Sequence, residues 1–202
     1  MIVRNPLVSS TFITVAVLAG CSGGGSNSDQ PAPEEIVTCG SEFPSDIDEG
    51  GIGDFSDDPA NPNQWALGPG VNNLRSGTAD GDDEYVSFTV GPCDVLSSII
   101  HTDFTSIAGV QQGFLAIQRG EVFSFDTEGP EFNPGSLFGF TDYGVATLNQ
   151  DVLALAGQGN GAIGFTSPLP AGTYTLWLDQ ADGRVEYTLV FNVDRVLTED
   201  DL

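Results

Sequence analysis

The sequence predicts an all-β protein, built as a β-sandwich or a jelly roll. Three observations support this fold class. Short runs in which apolar and polar residues alternate recur along the chain, which is the pattern of half-buried strands. The 202 residues include 26 Gly and 12 Pro, which favours many turns and argues against long helices. Hydrophobic residues make up 40% of the chain, which is enough for the packed core of one domain.

Five runs carry the strand pattern and are rich in β-branched and aromatic residues. Four of them alternate, at positions 86–90, 96–104, 174–178 and 187–193, and the fifth, at 114–117, is a compact apolar run. Asp182-Gly183 separates the last two runs, and this dipeptide favours a tight turn, so these two strands are predicted to form a hairpin. The segment 145–156 is predicted to hold a helical turn.

The first 21 residues resemble the export signal of bacterial lipoproteins. Arg4 provides a positive charge, an apolar run follows at 12–18, and Leu18-Ala19-Gly20-Cys21 is similar to a lipobox. The apolar run is too short to span a bilayer, which takes roughly 20 residues. The resemblance implies that residues 1–20 are a cleaved signal peptide and that Cys21 becomes a lipidated N-terminus. An ordinary signal peptide with a coincidental cysteine is the alternative.

Residues 21–35 are predicted to be a flexible tether, because they contain too few apolar residues to fold. Lipid on Cys21 would make the membrane a partner, since two or more acyl chains anchor a protein stably. Ser22 rather than Asp follows the cysteine, which by resemblance to lipoprotein sorting signals implies the outer membrane of the cell envelope. The folded domain is predicted over 36–196 and an acidic tail over 197–202.

The chain is strongly acidic. Its formal net charge is −24, from 29 acidic residues against five basic residues, all of which are Arg. Sequence-independent binding of nucleic acid is excluded, because it needs basic side chains that displace counterions. Adhesion of the protein surface to anionic lipid is disfavoured for the same reason. Two explanations of the acidity stay open: a repulsive, soluble surface in a salt-rich medium, or divalent cations bound by clustered carboxylates.

Two cysteines remain for a disulfide once Cys21 is assigned to lipid. Cys39 and Cys93 form an even pair in a chain that is predicted to be exported, where thiols are normally oxidised. The sequence therefore predicts a bond between Cys39 and Cys93. A thiol metal site is not expected, because two cysteines and one histidine fall short of a tetrahedral ligand set.

Two acidic clusters in Gly-rich loops are candidate calcium sites. One contains Asp54, Asp57 and Asp58, and the other contains Asp80, Asp82, Asp83 and Glu84. Ca²⁺ takes roughly six to eight oxygen ligands and often combines carboxylates with loop carbonyls. Neither cluster has the spacing of an EF-hand loop. The predicted calcium ligands are drawn from Asp54, Asp57, Asp58, Asp82 and Glu84, and solvated acidic turns are the alternative.

Catalysis is not predicted, so we expect no enzyme. The single histidine, His101, lies in a strand pattern beside Ile99 and Asp103 and is expected to be a solvated strand residue. The predicted folded domain contains no Gly-x-Ser-x-Gly nucleophile motif. A pair of carboxylates can support glycoside hydrolysis, but among 29 acids such pairs arise by chance.

Aromatic side chains are the remaining candidates for ligand contact. The residues considered are Trp65, Trp177, Tyr143 and Phe140. Stacking against a glycan or another polymer is one use for them, and core packing is the alternative.

Two stretches of the folded region carry a family pattern. The first runs from Gly53-Asp54-Phe55-Ser56-Asp57-Asp58-Pro59 into 81–90, and the second is Leu169-Pro170-Ala171-Gly172-Thr173-Tyr174 with the strands that follow it. Together they resemble bacterial pre-peptidase C-terminal domains, which are similar to the collagen-binding domains of collagenases. The resemblance covers 50–193. It implies an antiparallel jelly-roll sandwich that is usually non-catalytic and that in some members binds calcium near its N-terminal edge.

These observations predict a lipid-anchored, exported β-sandwich domain with a binding or structural role at the cell envelope. The alternative is a calcium-dependent module that binds an extracellular polysaccharide or protein, or a secreted enzyme. A hydrolase is the third and disfavoured class, since no nucleophile and base are paired by the sequence.

The lipobox resemblance predicts that Cys21→Ser prevents lipidation, because the thiol is the acylated group. The variant should partition into the aqueous phase of a detergent extraction, whereas the wild type follows the detergent phase. A variant that fractionates with membranes as the wild type does would contradict the assignment.

Overall fold

The computed structural model is an all-β sandwich of two packed sheets. It describes residues 39–40, 43–79, 81–107, 112–124, 134–179 and 183–196. The predicted signal peptide, lipidation at Cys21, tether and acidic tail lie outside the described residues. Among the residues that the structure describes, no helix has both the length and the apolar character needed to cross a membrane.

Within the described residues, nine strands and two short helices form the sandwich. In chain order they are β1 (Asp46–Asp48), α1 (Glu49–Ile52), β2 (Asn63–Ala66), β3 (Gly70–Ala79), β4 (Glu84–Val90), β5 (Asp94–Ile107), β6 (Gln112–Arg119), β7 (Gly139–Gly144), α2 (Val152–Ala156), β8 (Gly172–Asp179) and β9 (Arg184–Arg195). One sheet has the order β1-β3-β9-β5 and the other has the order β2-β4-β8-β6-β7. The helical turn predicted within 145–156 is present, as a 3-10 turn at Val145–Thr147 followed by α2.

The long ladders of both sheets are antiparallel, as the predicted sandwich requires. The two short N-terminal strands differ, because β1 pairs with β3 in parallel and β2 pairs with β4 in parallel. Parallel neighbours need a crossover connection rather than a tight turn. Here the crossover from β1 to β3 contains β2, and the crossover from β2 to β4 contains β3. In each case the intervening strand belongs to the other sheet.

The predicted hairpin between the last two strands is wrong. β8 pairs with β4 and β6, whereas β9 lies in the other sheet between β3 and β5. Leu176 of β8 and Leu189 of β9 are both fully buried in the core between the sheets, which they enter from opposite sides of the sandwich. The connection between them therefore crosses from one sheet to the other, which a local turn signal does not reveal.

Two register shifts interrupt β5 and change which of its side chains face inward. They lie between Leu96 and Ser98 and between His101 and Asp103. Strict alternation would place His101 and Phe104 on opposite faces, but both are buried. The expectation of a solvated His101 is therefore wrong. Burial also lowers the pKa of His101, so the ring is neutral near pH 7.

The inner strand β3 was not predicted from the sequence. It pairs with β9 along its whole length, from Gly70 opposite Val193 to Ala79 opposite Arg184. Its inward-facing side chains are Asn72, Leu74, Ser76 and Thr78, all buried. Because three of these four are polar, the strand lacks the apolar alternation that identifies a half-buried strand.

The aromatic candidates are used in packing. Trp65 packs edge-on against Phe191 with ring centroids 4.9 Å apart, in the core between the sheets. Trp177 belongs to a second core on the opposite face of the five-stranded sheet, with Tyr85, Ala116, Phe123 and Leu137. Tyr143 is fully buried and Phe140 is half-buried. These rings stabilise the sandwich rather than form an exposed stacking surface.

The predicted disulfide is present between Cys39 and Cys93. Their Cα atoms lie 5.4 Å apart, within the range that a disulfide spans. Cys93 occupies the turn between β4 and β5, and its carbonyl accepts a hydrogen bond from the Val196 N–H at 2.8 Å. The bond therefore attaches the chain ahead of β1 to the end of the sandwich where β9 finishes.

Replacing both cysteines, Cys39→Ser/Cys93→Ser, should lower the free energy of unfolding. The sequence separation of 54 residues gives a loop-closure contribution of up to about 4 kcal/mol. Urea unfolding followed by tryptophan fluorescence measures the loss. A reductant should destabilise the wild type and leave the double variant unchanged, and equal midpoints for oxidised wild type and double variant would contradict the prediction.

Candidate metal centre

The short helix α1 presents Glu49 to the edge of β3. Asp48 caps the helix, and its carboxylate accepts a hydrogen bond from the Gly50 N–H at 2.8 Å. Beyond the point where β1 stops pairing with β3, Glu49 Oε2 accepts a hydrogen bond from the Gly77 N–H at 2.9 Å. Glu49 Oε1 accepts another from the Phe55 N–H at 3.2 Å. Two backbone donors thus hold Glu49 in one orientation.

A backbone bridge brings the loop after α1 against the start of β4. The Tyr85 N–H donates to the Ser56 carbonyl at 2.9 Å, in an isolated antiparallel bridge. Gly53 begins this loop with a φ of 93°, a conformation that favours glycine. The bridge joins the two acidic stretches of the sequence, which are separated by β2 and β3.

The bridge places carboxylates from both stretches in two overlapping groups. In the first, oxygens of Glu49, Asp54 and Glu84 all lie within 4.8 Å of one another. In the second, oxygens of Asp54, Asp57 and Asp82 do the same. Asp54 belongs to both groups. Four of the predicted ligands therefore come together, and Glu49 joins them.

The other described acidic residues of the two clusters accept hydrogen bonds from side chains outside the carboxylate groups. Asp58 belongs to neither group, and its carboxylate accepts a hydrogen bond from the Asn61 side chain at 2.6 Å. This hydrogen bond lowers the pKa of Asp58. Asp83 accepts a hydrogen bond from the indole N–H of Trp177 at 2.9 Å, which ties it to the second core. Asp80 lies outside the described residues.

Glu84 is the electrostatic centre of the site. Its exposed fraction is 0%, and in the part of the chain that the structure describes no hydrogen-bond donor reaches either of its carboxyl oxygens. Burial, together with the neighbouring Glu49 carboxyl, raises the pKa of Glu84 to about 10. Asp82 and Asp54 add to the rise. Without a bound cation Glu84 is therefore neutral at pH 7.

The rest of the site is also short of positive charge. Burial raises the pKa of both Asp57 and Asp82, and the negative charge of Asp54 raises each further. Within the described ranges, the arginine ion pairs join Arg75 to Asp48, Arg184 to Glu186 and Arg195 to Asp94. None of these pairs includes a member of either carboxylate group, so the site keeps its unbalanced negative charge.

The arrangement is suited to cation binding. All donors are carboxylate oxygens, the ligands that hard cations prefer. His101 is the only histidine in the sequence, and its Nδ1 lies 3.1 Å from Thr147 Oγ1, in contact with no carboxylate of the site. The absence of an enzyme stays a prediction.

Glu49 is the site residue that the sequence analysis missed. It lies between Asp48 and Gly50-Gly51, in the same acidic, Gly-rich composition that identified the two clusters. The signal was therefore present, but a lone Glu several residues ahead of Asp54 has no spacing that marks it as a ligand. Only the folding of α1 against β3 gives it a role.

No family model matches this chain. A search of curated proteins finds no significant match either. The likeness of 50–193 to pre-peptidase C-terminal domains therefore stays a prediction.

The pKa of Glu84 predicts that the metal-free protein loses stability as pH rises. In the unfolded chain a glutamate ionises at about pH 4.3, so above that pH the unfolded state releases a proton that the folded state keeps. The neutral Glu84 therefore makes its whole contribution to the free energy of unfolding below about pH 4.3. This contribution decreases as pH rises towards 10. Urea denaturation in the presence of a chelator, repeated at several pH values, measures this effect. The free energy of unfolding of Glu84→Gln should increase relative to that of the wild type as pH rises.

The exposed Asp142 of β7 provides the control, because Asp142→Asn removes an acid from the far edge of the five-stranded sheet. Its stability curve should run parallel to that of the wild type. A constant difference between wild type and Glu84→Gln from pH 5 to pH 9 would show that Glu84 is not held neutral.

Proposed function

We propose that this protein is a non-catalytic, calcium-binding β-sandwich module. The observation that carries the proposal is the Glu84 carboxyl group, fully buried beside the Glu49 and Asp54 carboxyl groups and reached by no hydrogen-bond donor among the described residues. A buried carboxyl group either stays neutral or requires a counter-charge. A divalent cation among these three groups supplies that charge and allows all of them to ionise.

The donor set favours calcium over other cations. Carboxylate oxygens suit hard cations, whereas zinc and copper prefer thiolate or imidazole ligands. Mg²⁺ requires a near-ideal octahedron and keeps several waters, while Ca²⁺ accepts a less regular site with more ligands. Asp54 belongs to both groups, so it can bridge two cations: an inner one with Glu49 and Glu84, and an outer one with Asp57 and Asp82.

The proposed location is the cell envelope, with the domain anchored through lipid on Cys21. Calcium there would attach α1 and its following loop to β4, and so fix the N-terminal elements of the sandwich. A cation site at this edge is in keeping with the resemblance to pre-peptidase C-terminal domains, some of which bind calcium near the N-terminal edge. Its role would be structural, or would support binding of a partner.

A groove beside the site favours a second candidate function, calcium-dependent binding of an extracellular polymer. The groove has a volume of about 540 Å³ and shares Glu49 and Asp54 with the proposed cation site. Its lining carries both charges, including Arg75, Arg184 and Glu186. Such a lining suits a hydroxyl-rich and charged chain, such as a polysaccharide, better than an apolar segment.

Calcium should raise the melting temperature of the wild-type protein, because it binds the folded state. At a calcium concentration a hundredfold above the dissociation constant, the gain in the free energy of unfolding is about 2.7 kcal/mol. Asp54→Asn should remove most of this gain, since Asp54 belongs to both groups. Differential scanning fluorimetry and isothermal titration calorimetry measure the two effects.

Asp58→Asn is the matched control, because Asp58 lies in the same loop but outside both carboxylate groups. This variant should keep the calcium response of the wild type. Sodium chloride at equal ionic strength controls for general screening of the acidic surface. A wild-type melting temperature that moves equally with calcium and with sodium would eliminate the site.

A further inference from the structure

The bond between Cys39 and Cys93 marks one end of the sandwich. Cys93 lies in the turn from β4 to β5, and Arg195, the last residue of β9, donates a hydrogen bond to the Gly40 carbonyl at 2.8 Å. β3 starts at the same end, because its first residue pairs with β9 close to Arg195. We call this region the disulfide end, and it comprises Cys39, Gly40, Cys93 and the strand ends at Gly70, Val90, Asp94 and Arg195.

The disulfide end exposes apolar side chains. Phe43 is 84% exposed, and its backbone lies against Gly68, where an added Cβ atom would overlap the Phe43 carbonyl group. Val71, the second residue of β3, is 53% exposed, and Val196, directly after β9, is 50% exposed. Three of the seven exposed large apolar side chains among the described residues therefore lie at this end. Exposed apolar groups gathered in one region mark a surface that contacts a partner or a membrane.

The acidic side chains of the candidate metal centre lie at the opposite end. There β3 finishes at Ala79 and β4 begins at Glu84, whereas at the disulfide end the buried Asp94 is paired with Arg195 at 3.0 Å and Asp194 is exposed. The ten residues of β3 span about 30 Å between the two ends. This length is several times the electrostatic screening length of about 8 Å at physiological salt. A charged surface that touches the disulfide end therefore lies beyond the reach of the carboxylates.

The polypeptide enters the sandwich at the disulfide end. Residues 21–35 are the predicted tether, and Cys39 follows it and is held covalently to Cys93. A flexible chain of fewer than about 20 residues spans on average about 20 to 25 Å. This distance is shorter than the length of β3. A lipid anchor on Cys21 would therefore bring the disulfide end, rather than the acidic end, to the bilayer.

We propose that the disulfide end is a membrane-contacting surface, which holds the domain with its acidic end pointing away from the bilayer. Phe43, Val71 and Val196 enter the lipid interface, where apolar side chains leave water and add to the binding that acyl chains provide. The reverse orientation would place the carboxylates against the anionic headgroups of the membrane, which repel them. This inference rests on the proposed lipid anchor at Cys21 and is independent of calcium.

Tryptophan fluorescence tests this orientation in the full-length, lipidated protein reconstituted into phosphatidylcholine vesicles. Phe43→Trp places a reporter at an exposed position, so the substitution disturbs no core packing. In vesicles its emission should shift to the blue. Lipid with brominated acyl chains, which quench tryptophan on contact, should lower the emission about twofold, because interfacial side chains reach about 5 to 10 Å into the boundary between headgroups and acyl chains. Val196→Trp should respond in the same way.

Ile52→Trp is the matched control. Ile52 is also a large apolar residue, 59% exposed, but it lies in α1 beside the carboxylate groups. Its tryptophan should remain in water, so its emission should not respond to brominated lipid. The wild type provides the background signal, because Trp65 and Trp177 are both buried in the two cores. Mass spectrometry of each preparation confirms that Cys21 carries lipid.

The outcomes distinguish this inference from the proposals on which it rests. If the lipidated protein is anchored but Phe43→Trp and Val196→Trp are quenched no more than Ile52→Trp, the orientation is overturned and the anchor stands. A blue shift without quenching by brominated lipid would mean that a second copy of the chain covers the disulfide end, and it would also overturn the inference. A chain that acquires no lipid removes both the anchor and the membrane contact, whereas the calcium proposal stands in every case.

Discussion

The burial of the Glu84 carboxyl group between two sheets is the constraint on which the N-terminal half of the structure depends. Glu84 begins β4, and around it are Glu49 from α1 and Asp54 from the next loop. These segments are short and largely polar: α1 buries no side chain, and the loop that follows it contributes Phe55 to the core. Their place against the sandwich depends on backbone hydrogen bonds to Glu49 and on how the charge of Glu84 is neutralised, by a proton or by a cation.

The sequence reveals the parts of the fold whose strands bury an apolar face. β4, β8 and β9 agree with period-two runs and β6 with a compact apolar run, so both their existence and their type could be predicted. β3 could not, because the sandwich interior is polar where β3 faces it. The pairing of β8 and β9 could not be predicted either, since a turn signal between two strands does not tell whether the chain remains in one sheet.

For the candidate site, the sequence identifies carboxylates but not their geometry. Asp54, Asp57, Asp82 and Glu84 were expected as ligands because they lie in Gly-rich acidic loops, and they come together through the bridge between Ser56 and Tyr85. That bridge has no local sequence signal. Burial of Glu84 was likewise hidden, because it depends on what covers the start of β4, and this is decided by tertiary packing.

The bond between Cys39 and Cys93 has a mechanical consequence. A pull on the chain ahead of Cys39, opposed anywhere after Cys93, passes through the covalent bond directly into the turn between β4 and β5. The stretch of chain between the two cysteines, which are 54 positions apart in the sequence, then carries no tension. This shielded loop contains β1, α1 and every carboxylate of the two groups. Force that would otherwise peel the acidic edge from the sandwich is carried instead by β5 and the strands that follow it.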